Sequence, residues 1–297
     1  MTEPREPKDV LPRPVRLLLG ATGLGVSDRR LREAVAGTVV LVTGASSGVG
    51  KATARRLGAA GAPVLLVARR TELLEELRDQ IAAEGGTAFV HPCDLADPER
   101  AGALAADVLA QHGHVDVVVS NAGISTSHPI EETTLDEWNL NQSILSTGYF
   151  LVAREAFKVL RRQDRGGSIV FVASKNGLVG GRNAAAYSSA KALEIHLARC
   201  LAEEGGSAGI RLNTVNPDAV LQGSGIWNSA WREERARTYG IPPEQLEEHY
   251  RARTTLKVNV FPEDIAEAVL FFASPRSAKS TGNILNVDGG VVASYTR

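Results

Sequence analysis

Several residue types that define whole protein classes are scarce in this chain. It has two cysteines, Cys93 and Cys200, which are too few for a disulfide scaffold and fit a reducing, cytoplasmic setting. The six histidines are scattered, so no metal site is predicted. No apolar run reaches the roughly 18 residues of a membrane helix. The formal net charge of −1 gives no reason to expect nucleic acid or an anionic membrane as a partner.

What the sequence does contain is an alternation of strand-like and helix-like segments from about residue 38 onward. Apolar runs of strand length occur at Val39–Thr43, Pro63–Ala68, Ala88–His91, Asp116–Ser120, Ser168–Ala173, Ile210–Val215 and Asn283–Val287. Helical patterns lie near 50–60, 71–84, 98–112, 184–204 and 263–273. Continuous apolar strands separated by helices indicate a parallel sheet with helical crossovers. We therefore predict an α/β fold, a Rossmann-type doubly wound sheet of seven parallel strands forming one domain over residues 38–297.

Two segments depart from this alternation. Residues 1–37 begin with four prolines in the first 14 and continue into an arginine-rich stretch, and we predict an N-terminal extension packed on the domain or in a subunit contact. Residues 221–255 are rich in aromatic side chains. Long insertions beyond the carboxyl ends of such strands are often lids over a ligand. Packing of Trp227 and Trp231 on the core or on another subunit is the alternative.

Two glycine-rich loops could cradle a pyrophosphate. The first, Gly20–Gly25, follows the apolar run Val15–Leu19, but the helical stretch after it ends by about residue 36 and a second glycine loop comes at once, which makes it the weaker candidate. The second, Thr43–Gly50, follows a buried strand and opens a helix, as a dinucleotide loop does. Gly44 permits the tight turn, Gly48 lets the backbone approach the phosphates, and Gly50 lets helix and strand pack closely. The helix N-terminus adds free N–H groups and a positive dipole end.

The end of the second strand bears on which nicotinamide cofactor is bound. Arg69 lies 19 residues beyond Gly50 and is followed by Arg70. An acidic residue here would accept a hydrogen bond from the ribose of NAD, whereas an arginine accommodates the 2′-phosphate of NADP. The sequence therefore favours NADP(H), with NAD(H) possible. The alternative is a solvated arginine pair bonded to Glu72 or Glu75.

The long helix after the fifth strand begins with a Tyr-x-x-x-Lys pattern, which predicts acid–base chemistry. Tyr187 and Lys191 are one turn apart and share a helix face. Lowering a tyrosine pKa by three units takes about 4 kcal/mol, and a cation roughly 4 Å away at an effective dielectric near 20 supplies about that much. Ser174, 13 residues before Tyr187, closes the fifth strand and would orient a substrate oxygen. These three residues are the predicted catalytic set.

With these motifs the chain resembles the short-chain dehydrogenase/reductase family over about residues 38–290. The resemblance implies that Asp94 contacts the adenine and that Asn121 begins the turn that steadies the sheet beside the adenosine. From the residues alone, an Asx-turn at Asp94 and ordinary turn chemistry at Asn121 remain open. The cofactor-binding residues predicted from motif and resemblance together are Gly44, Ser46, Ser47, Gly48, Val49, Gly50, Arg69, Arg70, Asp94, Leu95, Asn121, Ala122, Gly123, Tyr187, Lys191 and Pro217.

The chain departs from the family pattern in two places. The family usually carries an asparagine seven residues after a tryptophan, where it helps to bind a proton-relay water. Counted from Trp138, that position is Leu145, and Asn141 lies one turn earlier. After the sixth strand the family often has Pro-Gly, where this chain has Pro217 followed by Asp218. We expect Asp218 to shape the substrate site.

The later part of the chain, from about Trp138, further resembles the dehydrogenase half of bifunctional rhamnulose-phosphate aldolase/short-chain dehydrogenases, which implies a small hydroxyaldehyde substrate such as lactaldehyde. The predicted function is hydride transfer between NADP(H) and a small alcohol, carbonyl or hydroxyaldehyde by a Ser–Tyr–Lys mechanism. The alternative is a non-catalytic NADP(H)-binding sensor. The resemblance implies a homotetramer or homodimer, and the sequence leaves the physiological substrate and reaction direction open.

Overall fold

Seven parallel strands form the sheet of the computed structural model, which describes residues 34–225 and 229–295. The strands are β1 (Val40–Thr43), β2 (Pro63–Ala68), β3 (Thr87–Pro92), β4 (Val117–Ser120), β5 (Gly167–Val172), β6 (Ile210–Pro217) and β7 (Ile284–Val287). Their order in the sheet is β3-β2-β1-β4-β5-β6-β7. The order reverses between β1 and β4, which is where a doubly wound sheet opens a crevice at its carboxyl edge.

The crossover helices connect these strands on both faces of the sheet. The α-helices of the described residues are α1 (Gly48–Ala59), α2 (Thr71–Ala83), α3 (Pro98–His112), α4 (Leu135–Asn141), α5 (Gly148–Gln163), α6 (Ala185–Gly205), α7 (Ser229–Tyr239), α8 (Leu246–Arg253) and α9 (Pro262–Ala273). A π-helical segment over Gln142–Thr147 joins α4 to α5 without a break. None of the helices in the described ranges is long and apolar enough to cross a membrane.

The hydrophobic core lies in two layers, one on each face of the sheet. Alternate residues of β1 serve different layers, because successive side chains of a strand point to opposite faces. Val40 and Val42 pack with α1, α2 and α9, whereas Leu41 packs with α3, α5 and α6. Burial on both faces explains why the strands read as continuous apolar runs rather than as alternating ones.

The predicted fold is confirmed, and the strand bounds differ from the predicted ones by at most two residues. All seven strands belong to one sheet, as a single domain requires. The domain bounds of residues 38–297 remain a prediction. The extension of residues 1–37 and the first glycine loop, Gly20–Gly25, fall almost entirely outside the described residues.

Candidate active site

A cleft of about 530 Å³ opens at the carboxyl edge of the sheet and runs from the β1–α1 loop to the segment after β6. The loop bends sharply, since Gly44 has φ of +66° and Gly48 has φ of +52°. A Cβ on Gly50 would lie 2.2 Å from the carbonyl oxygen of Gly44, so only glycine lets α1 pack against this turn. Ser47, the N-cap of α1, makes no side-chain capping bond, which leaves the first N–H groups of the helix to a ligand.

A hydrogen-bonded hub ties this loop to the end of β4. The Thr43 hydroxyl accepts from the backbone N–H groups of Asn121 and Ala122, at 2.9 and 3.1 Å, and donates to the carbonyl of Val119. The Asn121 side-chain amide donates to the carbonyl of Thr43 at 3.1 Å. Asn121 thus fixes the turn beside Gly44. The sequence pattern included Thr43 without assigning it a role, and its hydroxyl is what joins the two strand ends.

Arg69 and Arg70 lie at the outer end of the cleft, beside the glycine loop. The Arg70 guanidinium donates to the hydroxyls of Ser46 and Ser47, at 2.8 and 3.2 Å. Neither arginine forms an ion pair with an acidic residue of the described chain, so the alternative pairing with the acidic residues of α2 is not what the structure has. The Arg70 guanidinium and the two serine hydroxyls therefore lie together, and Arg69 lines the same cleft.

The remaining predicted cofactor residues also line the cleft. Asp94 accepts a hydrogen bond from the Ala96 N–H at 3.0 Å. This hydrogen bond forms the Asx-turn that was one of the two interpretations of Asp94. Asp94 also lies on the cleft wall, so the two interpretations are compatible. Wall positions are also taken by Val49, Leu95, Ala122, Gly123 and Pro217.

The three predicted catalytic residues meet at the inner end of the cleft. Ser174 follows β5, where its Oγ accepts from the Asn176 N–H at 3.1 Å. The Ser174 hydroxyl also hydrogen-bonds to the Tyr187 phenol, so the two groups that would meet a substrate oxygen lie side by side. Tyr187 and Lys191 lie on one face of α6, with the Lys191 Nζ 5.9 Å from the centroid of the Tyr187 ring.

The Lys191 ammonium is held by an acidic partner that the sequence analysis did not single out. Its Nζ donates to both carboxylate oxygens of Glu194, at 3.0 and 2.9 Å, and to the carbonyl of Val172 at 3.2 Å. Glu194 is completely buried, and this burial raises its pKa to about 8 although Lys191 opposes the shift. The signal was present in the sequence, because Glu194 interrupts the buried face of α6 three residues after Lys191.

The net pKa of Tyr187 differs from the expected one. Burial of the phenol raises its pKa, and this effect outweighs the lowering by Lys191 and by the nearby Ser174 hydroxyl. The Glu194 carboxylate raises it further, because it offsets the charge of Lys191. The expectation that Lys191 alone makes Tyr187 a base at neutral pH was therefore wrong for the protein by itself. Tyr187 is a protonated phenol, which is a proton donor.

The structure also answers the question raised by Leu145. Leu145 is fully buried and packs with Ile144 and Ala190 beneath Tyr187. Asn141 does not line the cleft, and its amide donates to Thr126 at 2.9 Å and to the backbone of α4. Among the described residues the Asn141 side chain makes no hydrogen bond to Tyr187 or Lys191.

Part of the predicted lid covers the inner end of the cleft. Trp231, Tyr239 and Tyr250 line it, and Trp227 lies outside the described residues. The segment also reaches the glycine loop, since a Cβ on Gly48 would lie 3.1 Å from the Cα of Ser224. Four charged side chains join these aromatics on the wall, namely Lys175, Asp218, Arg235 and Arg253. Of the four, the sequence analysis had singled out Asp218.

Comparisons with known proteins agree with this geometry. The family model described as enoyl-(acyl carrier protein) reductase matches residues 44–292. The oxidoreductase YuxG of Bacillus subtilis is 54% identical over 87% of this chain, which spans 38% of the length of YuxG. An L-rhamnose 1-dehydrogenase (NAD(P)(+)) of Sphingomonas sp. is 35% identical over 86% of this chain and 96% of its own. A solved variant of the actinorhodin polyketide ketoreductase with NADPH has a TM-score of 0.81 at 32% identity, covering 86% of this chain and 97% of its own.

The chain therefore belongs to the short-chain dehydrogenase/reductase family. It is an oxidoreductase that acts on CH–OH or carbonyl groups and binds a nicotinamide cofactor, NAD(H) or NADP(H).

Proposed function

We propose that this protein moves a hydride between NADP(H) and a small hydroxylated carbonyl/alcohol pair, with Ser174, Tyr187 and Lys191 as its catalytic residues. The observation that carries the proposal is the convergence of these three side chains at the inner end of the cleft that begins at the glycine loop. The nicotinamide, when bound, supplies or accepts the hydride. The residues of the chain then have to orient the substrate oxygen and manage its proton.

The roles follow from the contacts. Ser174, whose Oγ already accepts from the Asn176 amide, donates its proton to the substrate oxygen. Tyr187 gives its proton to the same oxygen during carbonyl reduction and takes one back during alcohol oxidation. Because its pKa is raised, Tyr187 carries its proton at neutral pH, and this protonated form is the one that carbonyl reduction uses. Lys191 stabilises the tyrosinate and holds the nicotinamide ribose.

The preference for NADP(H) is part of the proposal. The 2′-phosphate would bind between Arg69, Arg70 and the hydroxyl of Ser46, which already accepts from Arg70. Guanidinium–phosphate hydrogen bonds are charge-assisted and can be bidentate. The pyrophosphate would lie on the N–H groups of the loop from Ser46 to Gly50, with Asp94 and Asn121 beside the adenosine.

Four finer features of the sequence prediction belong to the proposal as well. The substrate class is a small polyol-derived carbonyl or hydroxyaldehyde. It is supported by the sugar substrate in the name of the Sphingomonas relative. The resemblance of the later half of the chain to the dehydrogenase half of aldolase fusions remains a prediction. A homotetramer or homodimer and a cytoplasmic location remain predictions. Residues 221–255 would act as the lid over this substrate.

The sensor alternative is not supported by the site, since a pure cofactor sensor would need neither Ser174 nor Tyr187 in this arrangement. The test is a panel of small hydroxyaldehydes, hydroxyketones and their alcohols, assayed with both cofactors by nicotinamide absorbance. Turnover should appear with NADP(H), and Tyr187→Phe should lower kcat by about a hundredfold or more with little change in cofactor Kd. Tight NADPH binding without turnover of any member would favour the sensor.

A further inference from the structure

Four charged side chains from distant parts of the chain meet at the inner end of the cleft. Lys175 follows Ser174, Asp218 follows β6, Arg235 lies on α7, and Arg253 ends α8. This cluster, the Lys175–Asp218–Arg235–Arg253 cluster, shares the cleft wall with Tyr187. It therefore faces whatever extends from the reacting carbon.

The cluster has more positive than negative charge. Arg253 forms an ion pair with Asp218, and the Nζ of Lys175 is 3.8 Å from the same carboxylate. In the ranges 34–225 and 229–295, Asp218 is the one acidic side chain within ion-pair distance of these three cations. Positions 226–228 are Ile, Trp and Asn, so they contribute no acid. Among the described residues, three cations against one carboxylate leave two positive charges in excess.

Two of these cations are also buried. The excess positive charge therefore costs free energy in the protein without a bound ligand. Lys175 is 8% exposed and Arg235 is 5% exposed. Arg235 donates to the carbonyl of Arg182 at 2.8 Å and to Ser127, contacts that satisfy donors without supplying a counter-charge. The Lys175 Nζ has no hydrogen-bond acceptor among the described residues and lies on the cleft wall. A buried charge is expensive unless it is paired and hydrogen-bonded.

The titration of neighbouring groups reflects the same positive field. Burial lowers the pKa of Lys175, and the attraction of Asp218 does not compensate for it. Burial alone would raise the pKa of Tyr239, yet that pKa lies below its ordinary value because the charge of Arg235, a hydrogen bond with Tyr250 and the charge of Arg253 together lower it. The lowered pKa of Tyr239 indicates that an anion would be stabilised in this part of the cleft.

We propose that the Lys175–Asp218–Arg235–Arg253 cluster binds an oxyanion of the substrate, a carboxylate or a phosphate ester, with Lys175 as its direct ligand. The proposal rests on the proposed function, because it assigns the cluster to the end of the substrate that does not react. The substrate is then a hydroxylated carbonyl compound that carries an acidic group, rather than a neutral sugar. Asp218 keeps the cluster from binding anions indiscriminately, because it occupies Arg253.

The test measures binding without turnover. An alcohol cannot react with reduced cofactor, so the protein saturated with NADPH forms dead-end complexes that calorimetry can measure. The probes are D-gluconate and D-glucitol, which differ in one carboxylate, and D-glucitol 6-phosphate, which distinguishes a phosphate from a carboxylate. At least one of the two anions should bind about tenfold or more tightly than D-glucitol, the usual ratio for a hydrogen bond to a charged group.

Variants assign this preference to Lys175. Lys175→Met should remove most of the preference for the anion, and Lys175→Arg, which keeps the charge, should retain it. Lys158→Met, which removes a solvent-exposed lysine of α5, is the matched control and should leave the ratio unchanged. Equal affinity for charged and neutral probes, no binding of either, or an unchanged ratio in Lys175→Met overturns the anion site. Anion binding without turnover in the substrate panel would instead overturn the proposed function alone.

Discussion

The two ends of the cleft are built in different ways. The outer end, around the glycine loop, is made mainly of backbone, with turns at Gly44 and Gly48 and a hub at Thr43 that links β1 to β4. The inner end is made of side chains, several of them charged and buried, that come from segments far apart in the chain. A backbone cradle suits a constant group such as a pyrophosphate, whereas a wall of side chains can be changed to suit a particular substrate.

This difference predicts which substitutions are tolerated. At the outer end a single added methyl group would clash, because the atoms nearest to it belong mainly to the backbone. At the inner end a substitution changes charge and hydrogen bonding without disturbing the sheet. The following predictions test this contrast, beginning with the largest expected effect.

Gly50→Ala should abolish or severely weaken cofactor binding. The new Cβ would lie 2.2 Å from the Gly44 carbonyl oxygen and 2.6 Å from the Asn121 side-chain nitrogen, so the turn and α1 would have to move apart. Overpacking of this kind costs about 1–3 kcal/mol in stability. We expect NADPH Kd, measured by fluorescence titration, to rise by more than about tenfold, together with a lower Tm.

Gly206→Ala is the matched control for this change. Gly206 has no atom within 4 Å of an added Cβ and lies after α6, away from the cleft. It should keep the wild-type Kd and lose little stability. Normal NADPH binding in Gly50→Ala would contradict the view that this turn sets the position of the cofactor.

Arg69→Asp should reverse the cofactor preference at the outer end. An aspartate would repel the 2′-phosphate of NADP(H) and could accept from the ribose hydroxyl of NAD(H). The Kd for NADPH should rise by about tenfold to a hundredfold, the range for a charge-assisted hydrogen bond, while that for NADH stays level or falls.

Arg78→Asp makes the same charge change on the exposed face of α2 and should leave both affinities unaltered. A parallel loss of affinity for both cofactors in Arg69→Asp would mean that Arg69 supports the loop rather than the phosphate. Tighter binding of NADH than of NADPH by the wild type would remove the proposed preference outright.

The same contrast explains how much of each end of the cleft can be predicted from the sequence. Gly44, Gly50 and Asn121 belong to short motifs in which local turn chemistry determines the geometry, and the structure places them as those motifs require. Tyr187 and Lys191 were predictable for the same reason, because one helix turn sets their relative position. The spacing of residues in the sequence is therefore enough to predict both the glycine loop and the Tyr–Lys pair.

The inner end could not be predicted in this way. Lys175, Arg235 and Arg253 are separated by loops and helices, and no spacing in the sequence says that they share a wall with Asp218. The sequence also does not show that Lys175 and Arg235 are buried, since charged residues are most often exposed. The pKa of Tyr187 was misjudged for a related reason. It depends on the burial of the phenol and on Glu194, neither of which the Tyr-x-x-x-Lys pattern states.

Glu194→Gln is the smallest and most specific change. Glutamine keeps an oxygen that can accept from Lys191 but removes the negative charge that raises the pKa of Tyr187. The pKa of Tyr187 should therefore fall. Alcohol oxidation, which needs Tyr187 as a base, should reach its plateau at lower pH in the variant, while kcat at that plateau changes only a few-fold.

The stability of the variant should change with pH in a way that a merely structural role for Glu194 would not produce. The pKa of Glu194 is raised from 4.5 to about 8 in the folded protein, so between these values the folded state binds more protons than the unfolded state. The contribution of Glu194 to the free energy of unfolding is therefore fully present below pH 4.5 and is lost as pH rises toward 8. Glu194→Gln should flatten that decline in denaturant titrations across the same range, because glutamine does not titrate.

Glu203→Gln, which changes an exposed carboxylate on the same helix, should leave both the pH profile of oxidation and the pH dependence of unfolding as they are. An unshifted oxidation profile in Glu194→Gln would show that Glu194 has no electrostatic influence on Tyr187 once the cofactor is bound.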